Sequence, residues 1–250
     1  MDRVPTGVKG FDHLIEGGFP KGAAILLSGS PGTGKTIFGL EYIYRGANDF
    51  GESGMFISFE QDPKDIKEQA RQMGFHNLEQ LEQEGKITFA CMTAHLVDKH
   101  TASDILNEAN NRQVDRLVID SLSALLINAP LHLVQYDPEL KQMIKETKEA
   151  EITLTTEDIK KNFIYKFIAD IKKSQATAIL LSEVPEKSQQ LSSDGISDFV
   201  ADGVVMMNFE SMGGQFSRSL IIRKLRETKN NEDVHPLEIC NEGIIVHHLE

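Results

Sequence analysis

The stretch AAILLSGSPGTGKTIFGLEYIY, residues 23–44, constrains the fold more tightly than any other part of the chain. An apolar run of β-type residues enters a loop carrying Gly29, Gly32 and Gly34, and a helical pattern leaves it. Gly29, Gly34, Lys35 and Thr36 satisfy G-x-x-x-x-G-K-[ST], the Walker A pattern, in the strand–loop–helix setting that gives the pattern its meaning. Glycines remove the Cβ atoms that would keep a ligand away from the backbone. Inward-pointing N–H groups beside a helix N-terminus form a positive nest for phosphate. Ser30, Pro31, Gly32, Thr33, Gly34, Lys35 and Thr36 are therefore expected to cradle a nucleoside triphosphate. Lys35 would bridge its β- and γ-phosphates and Thr36 would ligand Mg²⁺.

The rest of the chain repeats the alternation. MFISFE (55–60), KITFAC (86–91), DRLVID (115–120), TAILLSE (177–183), GVVMMNF (203–209) and SLIIRKL (219–225) have strand character, several of them apolar almost throughout. Such runs mark strands covered on both faces of a mainly parallel sheet. TIFGLEYIYRGANDF, DPKDIKEQARQMGF and TASDILNEANNRQ have helical character, the second opened by Asp62 as N-cap and Pro63 at the first helical position. IKKNFIYKFIADIKK (159–173) places Ile159, Phe163, Ile164, Phe167, Ile168 and Ile171 on one face, with lysines opposite. Gly213-Gly214 predicts a hairpin turn near the end. The expected class is α/β: a mainly parallel sheet with helices on both faces, finished by antiparallel strands. One domain spanning 1–250 is expected, with an insertion-like, polar segment near 128–158 that lacks a clear strand.

Charge and cysteine usage narrow the functional classes. The net charge of −12 works against a general polyanion-binding surface, although a local basic strip remains compatible with it. Cys91 and Cys240 sit in apolar stretches and are expected to be free, buried thiols of a reducing compartment. No apolar run approaches the ~20 residues needed to span a bilayer, and the N-terminus has no targeting character. A soluble, cytoplasmic protein is expected. Leu249-Glu250 could be a cloning remnant, so His247 and His248 are given no metal role.

Breaking a bound triphosphate needs further groups. RLVIDS puts Asp120 at the end of an apolar strand, where a carboxylate can reach Mg²⁺ directly or through water. MFISFEQD puts Glu60 at the end of another strand, as a candidate base or water-orienting group. Parallel strands end on one ligand-binding edge, so these side chains are expected to meet there.

At this point the chain resembles a family: the KaiC-like branch of the RecA/RadA ATPases. The resemblance rests on VPTGVKGFDHLIEGGFPKGAAILLSGSPGTGKT, FISFEQDPKDIKEQARQMGF, DRLVIDSLSAL, DFVADGVVMM and the KLR triplet 224–226, and covers nearly all of the chain outside 128–158. It implies ATP rather than GTP, a homo-oligomeric ring, often a hexamer, and active sites at subunit interfaces. Lys224 and Arg226 match basic residues that reach the neighbour's phosphates, and positions two apart on a strand share a face. Glu183 matches an acidic sensor position, with Ser182 next to it as a reporter of the γ-phosphate. Where the family carries two adjacent glutamates this chain has Glu60-Gln61; Gln61 can orient water but cannot accept a proton, so slow hydrolysis is expected. The sequence ends with its last strand, GIIVHHLE, so a phosphorylated segment like that of double-domain KaiC is not expected, which counts against autokinase activity.

Three functions remain open at this level. One is an ATP-driven switch, a ring whose slow hydrolysis changes its shape and hence its protein partners, which the sequence does not name. The second is a RadA-like ATPase on single-stranded DNA, supported by fold kinship and the lysine-bearing helix at 159–173. The third is a nucleotide-binding scaffold that barely hydrolyses ATP.

Overall fold

A computed structural model of the protein describes residues 2–92, 100–126, 142, 155–186, 188, 190–212 and 215–248. Most of the insertion-like segment near 128–158 and the Gly213-Gly214 turn lie outside the described residues. A short ribbon pairs β1 (Arg3–Val4) with β2 (Phe19–Pro20). The chain then runs β3 (Ala24–Gly29), α1 (Lys35–Asp49), β4 (Gly54–Ser58), α2 (Pro63–Gln72), α3 (Leu78–Gln83), β5 (Ile87–Cys91), α4 (Thr101–Asn111), β6 (Arg116–Asp120), α5 (Thr156–Ile171) and β7 (Thr177–Glu183). It ends with the short α6 (Ser197–Val200), β8 (Gly203–Met212), β9 (Gln215–Leu225), β10 (His235–Cys240) and β11 (Gly243–Val246).

Nine strands form one sheet in the order β11-β10-β9-β8-β3-β7-β6-β4-β5. From β8 to β5 every pairing is parallel; β8–β9, β9–β10 and β10–β11 are antiparallel. This is the expected α/β architecture. The strand expected over 55–60 stops at Ser58, and α3, α6 and β10 add to the elements read from the sequence.

Residue alternation explains the two layers. Ile25 and Leu27 of β3, Phe56 of β4, Val118 of β6 and Ile179 and Leu181 of β7 face α1, α2 and α3 in one apolar cluster. Their neighbours Leu26, Ile57, Leu117, Ile119 and Leu180 face α4 and α5 in a second. Each strand interior is dry on both sides, so period-2 patterning is replaced by a continuous apolar run. Asp62 caps α2 by accepting a hydrogen bond from Lys64 N at 2.9 Å, with Pro63 at the first position. Thr155 opens α5 through a reciprocal capping box with Asp158. Ile159, Ile164, Phe167, Ile168 and Ile171 of α5 are buried and Phe163 packs partly exposed against the same cluster, as the spacing implies.

One expectation changes. Both cysteines are free, but Cys91 is exposed and Cys240 half-buried, because β5 is the sheet's edge strand and Cys240 ends β10 beside a turn. Among the described residues no helix is long and apolar enough to cross a membrane.

The β10–β11 hairpin docks on α1 through one buried carboxylate. Glu41, 1% exposed, accepts a 2.6 Å hydrogen bond from Ile244 N, with Arg45 alongside. Burial pushes its carboxyl up to about 7 against the ordinary 4.5, and the Ile244 N–H and Arg45 only partly offset this. Folded Glu41 thus keeps its proton where the unfolded chain has lost it. Its contribution to stability is whole below pH 4.5 and is lost as the pH rises through about 7. Glu41→Gln keeps an acceptor for Ile244 N without the titration. Urea unfolding between pH 4 and 8 should show the wild type losing about 3 kcal/mol relative to the variant over that interval.

Candidate functional site

The parallel register brings the C-terminal ends of β3, β4, β6 and β7 to one edge. Gly29 lies opposite Glu183 on one side and Met207 on the other, while Ser58 lies opposite Asp120. The loop 30–34 connects Gly29 to α1. Gly29 is required by contact: a Cβ there would stand 2.2 Å from Met207 O. Gly34 is required by conformation, at φ 106° as the N-cap of α1, with Ile239 of β10 closing over it. Thr33 is buried and its hydroxyl donates to Ser30 O at 2.9 Å, tightening the turn. Ser30 is buried, while Pro31 and Gly32 are exposed at its tip. Arg218 of β9 stacks over Phe209 and donates to Gly32 O through Nε and Nη2.

Lys35 is 7% exposed and folds over the loop, Nζ donating to Gly29 O at 2.9 Å and to Ser30 O at 3.1 Å. Burial lowers its pKa, opposed by the carboxylates of Glu183, Asp120 and Glu60. Glu183 Oε1 stands 3.9 Å from Nζ. Thr36 Oγ1 donates to Asp120 Oδ2 at 2.8 Å. Burial raises Asp120 to about 6; Thr36 and Lys35 pull it back, and Glu60 and Glu183 push it further.

Glu60 reaches this group from the far side of β6. Phe59 N donates to Asp120 O at 2.7 Å, and Ser58 Oγ accepts from the backbone N–H groups of Glu60 and Gln61. Ser121 Oγ then donates to Glu60 Oε1 at 2.6 Å. Gln61 turns the other way, its side-chain oxygen accepting from Gln69 Nε2 at 3.2 Å. The strand that lies between β3 and β6 in the sheet is β7, so the inserted strand carries Glu183, and Glu60 comes from its neighbour's neighbour.

Three carboxylates around one buried ammonium leave the site in need of a further cation. The available donors are hydroxyl and carboxylate oxygens, the hard ligands that Mg²⁺ takes. Among the described residues no group of three His, Cys, Asp or Glu could hold a metal by itself. Thr36 and Asp120 are the residues that would offer oxygens to a Mg²⁺, which would take its other ligands from phosphate and water.

Lys224 and Arg226 are not part of this constellation within the chain. Lys224 pairs with Val204 and Leu225 with Gly203, which pairs with Ile25, whereas Gly29 pairs with Met207. About 13 Å of strand therefore separates the two cations from the phosphate loop along β3. They converge on α6 and on the residues that join it to β8. Lys224 Nζ donates to Asp198 O, Phe199 O and Ala201 O at 2.9, 3.1 and 2.7 Å; Arg226 pairs with Asp202 at 3.3 Å. Their shared direction comes from these acceptors more than from a shared strand face, since β9 ends at Leu225.

Sequence reasoning missed Arg218, Ser58 and Ser123, whose hydroxyl accepts from Glu183 N at 2.8 Å. Ser58 and Ser123 lie within the family-like stretches, but no role attaches to them there, and Arg218 lies outside those stretches. Ser58 could have been found from its place two residues before Glu60 at a strand end, where a hydroxyl can hold a turn's N–H groups.

A phosphate loop at the C-terminal edge of a parallel sheet, with β7 inserted between β3 and the aspartate-bearing β6, defines the RecA-like class of P-loop proteins. The family model described as "ATPase: KaiC" matches residues 4–162 and 150–250, and the chain belongs to that family of nucleotide-binding ATPase domains. It is 32% identical to a UPF0273 protein of Methanocaldococcus jannaschii over 99% of this chain and 97% of that one. It is 29% identical to circadian clock oscillator protein KaiC 1 of Synechocystis, covering 98% of this chain and 44% of that protein. The crystal structure of a KaiC-like protein from Pyrococcus horikoshii superposes with a TM-score of 0.80 at 31% identity, covering 99% of both chains.

Asp120 exposes the conflict between stability and function at this edge. Its folded carboxyl titrates near 6 and the unfolded one near 3.8, so its contribution to stability is lost as pH rises through 6. Asp120→Asn keeps an acceptor for Thr36 and should stabilise the nucleotide-free protein at pH 8 by on the order of 2 kcal/mol. The same variant should lose Mg²⁺-dependent nucleotide affinity, read by titrating a fluorescent ATP analogue with and without EDTA.

Proposed function

We propose that the protein binds ATP with Mg²⁺ and hydrolyses it slowly, as a single-domain subunit of a ring-forming switch with active sites at subunit interfaces. The observation that carries this reading is the convergence of Lys35, Thr36, Asp120 and Glu60 on one sheet edge, linked by hydrogen bonds and Coulomb contacts. Residues 30–36 would hold the phosphates, with Lys35 transferring its hydrogen bonds from the loop carbonyls to the β- and γ-phosphates. Thr36 and Asp120 would hold Mg²⁺, which neutralises phosphate charge when bound. Glu60 would orient the attacking water and accept its proton. Glu183, close to Lys35, would sense the γ-phosphate together with Ser182.

Slow turnover follows from the groups beside the base. Gln61 has no basic oxygen and is tied to Gln69, and the Glu60 carboxylate is engaged by Ser121. Lys224 and Arg226 lie far from their own chain's phosphate loop, which supports a role in trans on a neighbour's phosphates. Arg226 borders a groove of about 640 Å³ between α5 and α6, lined also by Lys161, Tyr165, Lys172 and Phe199. Phe199 is 69% exposed there, a surface suited to a second copy of the chain. A six-membered ring is the proposed assembly, by family likeness. Two free thiols, one of them exposed, suit a reducing compartment such as the cytoplasm.

Glu60→Gln should lower ATP turnover by about 10²-fold or more while leaving nucleotide binding intact; an unchanged rate removes Glu60 from the chemistry and favours a scaffold. Mixing Glu60→Gln with Arg226→Ala subunits tests the interface. Each variant alone should be nearly inactive, and the mixed assembly should recover turnover because some interfaces combine an intact Glu60 with an intact Arg226. Recovery that is absent in particles of ring size counts against action in trans. Single-stranded DNA should leave the rate unchanged from low to moderate salt; a salt-sensitive stimulation would instead indicate a recombinase-like partner.

A further inference from the structure

The residues from Ser192 to Asp202 connect the two edges of the sheet, and they do so through side-chain contacts at nearly every step. At the phosphate edge, Ser193 Oγ lies 3.2 Å from Ser123 Oγ and 3.4 Å from the buried Ser182 Oγ. Ser123 Oγ is the same atom that accepts from the backbone N–H of Glu183. Ser193 therefore touches the hydroxyls on both sides of the residue whose carboxylate faces Lys35.

Beyond Ser193 the wiring is short and dense. Ser192 Oγ donates to Asp198 Oδ1 at 2.6 Å and accepts from Gly195 N at 3.0 Å. Asp194 accepts from Ile196 N at 2.8 Å, from Ser197 N at 2.6 Å and from Ser197 Oγ at 2.5 Å. At the far end the carbonyls of Asp198, Phe199 and Ala201 hold Lys224. Asp202 pairs with both Lys172 and Arg226, and its Oδ2 accepts from Ala24 N at 3.1 Å. The 192–202 segment is thus tied to itself and to the two cations by bonds mostly of 2.5–3.1 Å. Among the described residues its serine contacts with the phosphate edge, at 3.2 and 3.4 Å, are longer than the usual O–H···O range.

We propose that Ser193 is a positioning residue: it couples a chain's own phosphate site to the aim of Lys224 and Arg226 at the next subunit. This rests on the reading of those two cations as acting in trans. A γ-phosphate that draws Lys35 away from the loop carbonyls removes the partner Glu183 now faces. Glu183 then shifts with the Ser123 hydroxyl to which its N–H is bound. The long Ser123–Ser193 and Ser182–Ser193 contacts are where the segment can close up or let go, since the links within the segment and to Lys224 are shorter, and only the 3.3 Å pair of Arg226 with Asp202 is as long. A closed contact carries the displacement through the segment to the carbonyls that hold Lys224 and to Asp202, and so to Arg226.

A double-mutant cycle on the assembled protein tests the coupling. Arg226→Ala, Ser193→Ala and the double variant are compared for ATP turnover, with particle size and thermal melting as checks on assembly. Ser193→Ala should lower turnover about 3- to 30-fold, the range of coupling through such contacts. The double variant should be no slower than Arg226→Ala alone, and Ser193→Thr, which keeps the hydroxyl, should retain most of the rate. Losses that multiply in the double variant, or an unchanged rate in Ser193→Ala, overturn the role of Ser193. An unchanged rate in Arg226→Ala overturns the trans reading itself, which is a separate outcome. Should Ser193→Ala fail to assemble, Ser123→Ala removes the same contact from the other side and must show the same non-additivity with Arg226→Ala.

Discussion

The close parallel packing of β3 between β7 and β8 is the constraint on which the site depends. Met207 O approaches Gly29 so closely that no side chain could stand there. That approach fixes where β3 ends, and hence where the loop 30–34 turns into α1. The same register sets Glu183 opposite Gly29, and Asp120 opposite Ser58 one strand further on. A slip by one residue would send every inward side chain to the other face of the sheet. With apolar clusters on both faces, no such slip is tolerated.

Two opposite charges are buried at the phosphate edge of the sheet. Lys35 and Asp120 are both buried, each pushed by desolvation toward its neutral form and held back by the other. Such an arrangement is poor for stability, and a polyanion bound with a metal would satisfy both groups at once. Glu41 is a second buried carboxylate on α1, four residues beyond Ile37, and it serves the fold by anchoring the β10–β11 hairpin. The hairpin in turn brings Ile239 over Gly34, so the carboxylate that clamps the hairpin also steadies the cover over the start of α1.

The opposite edge of the sheet has a different logic. Lys224 satisfies the backbone carbonyls that α6 leaves open at its C-terminal end, as a cation in that position should. Arg226 is half-exposed and shares Asp202 with Lys172, beside the exposed ring of Phe199. The cations are thus arranged around a short helix end, and Ser193, which precedes that helix, lies within 3.4 Å of hydroxyls at the phosphate edge.

Legibility in the sequence followed the range of the interactions. The phosphate loop, the seven strands from β3 to β9 and the caps of α2 are set by neighbours a few residues apart, so GSPGTGKT, the apolar runs and Asp62-Pro63 announced them. Asp120 and Glu60 were legible as strand-end carboxylates, because parallel strands end on a common edge. Their actual contacts, Thr36 with Asp120 and Ser121 with Glu60, join residues 84 and 61 apart and required the sheet order. The strand β7 comes late in the sequence yet inserts between β3 and β6, and that alone decides which glutamate faces Lys35. Exposure of Cys91 and the convergence of Lys224 and Arg226 on α6 depend on which strand is the edge and where β9 stops. Local chemistry determined that this chain would present a phosphate loop on an α/β sheet; only long-range packing decided which charges surround it, because burial and Coulomb contact are properties of neighbours in space.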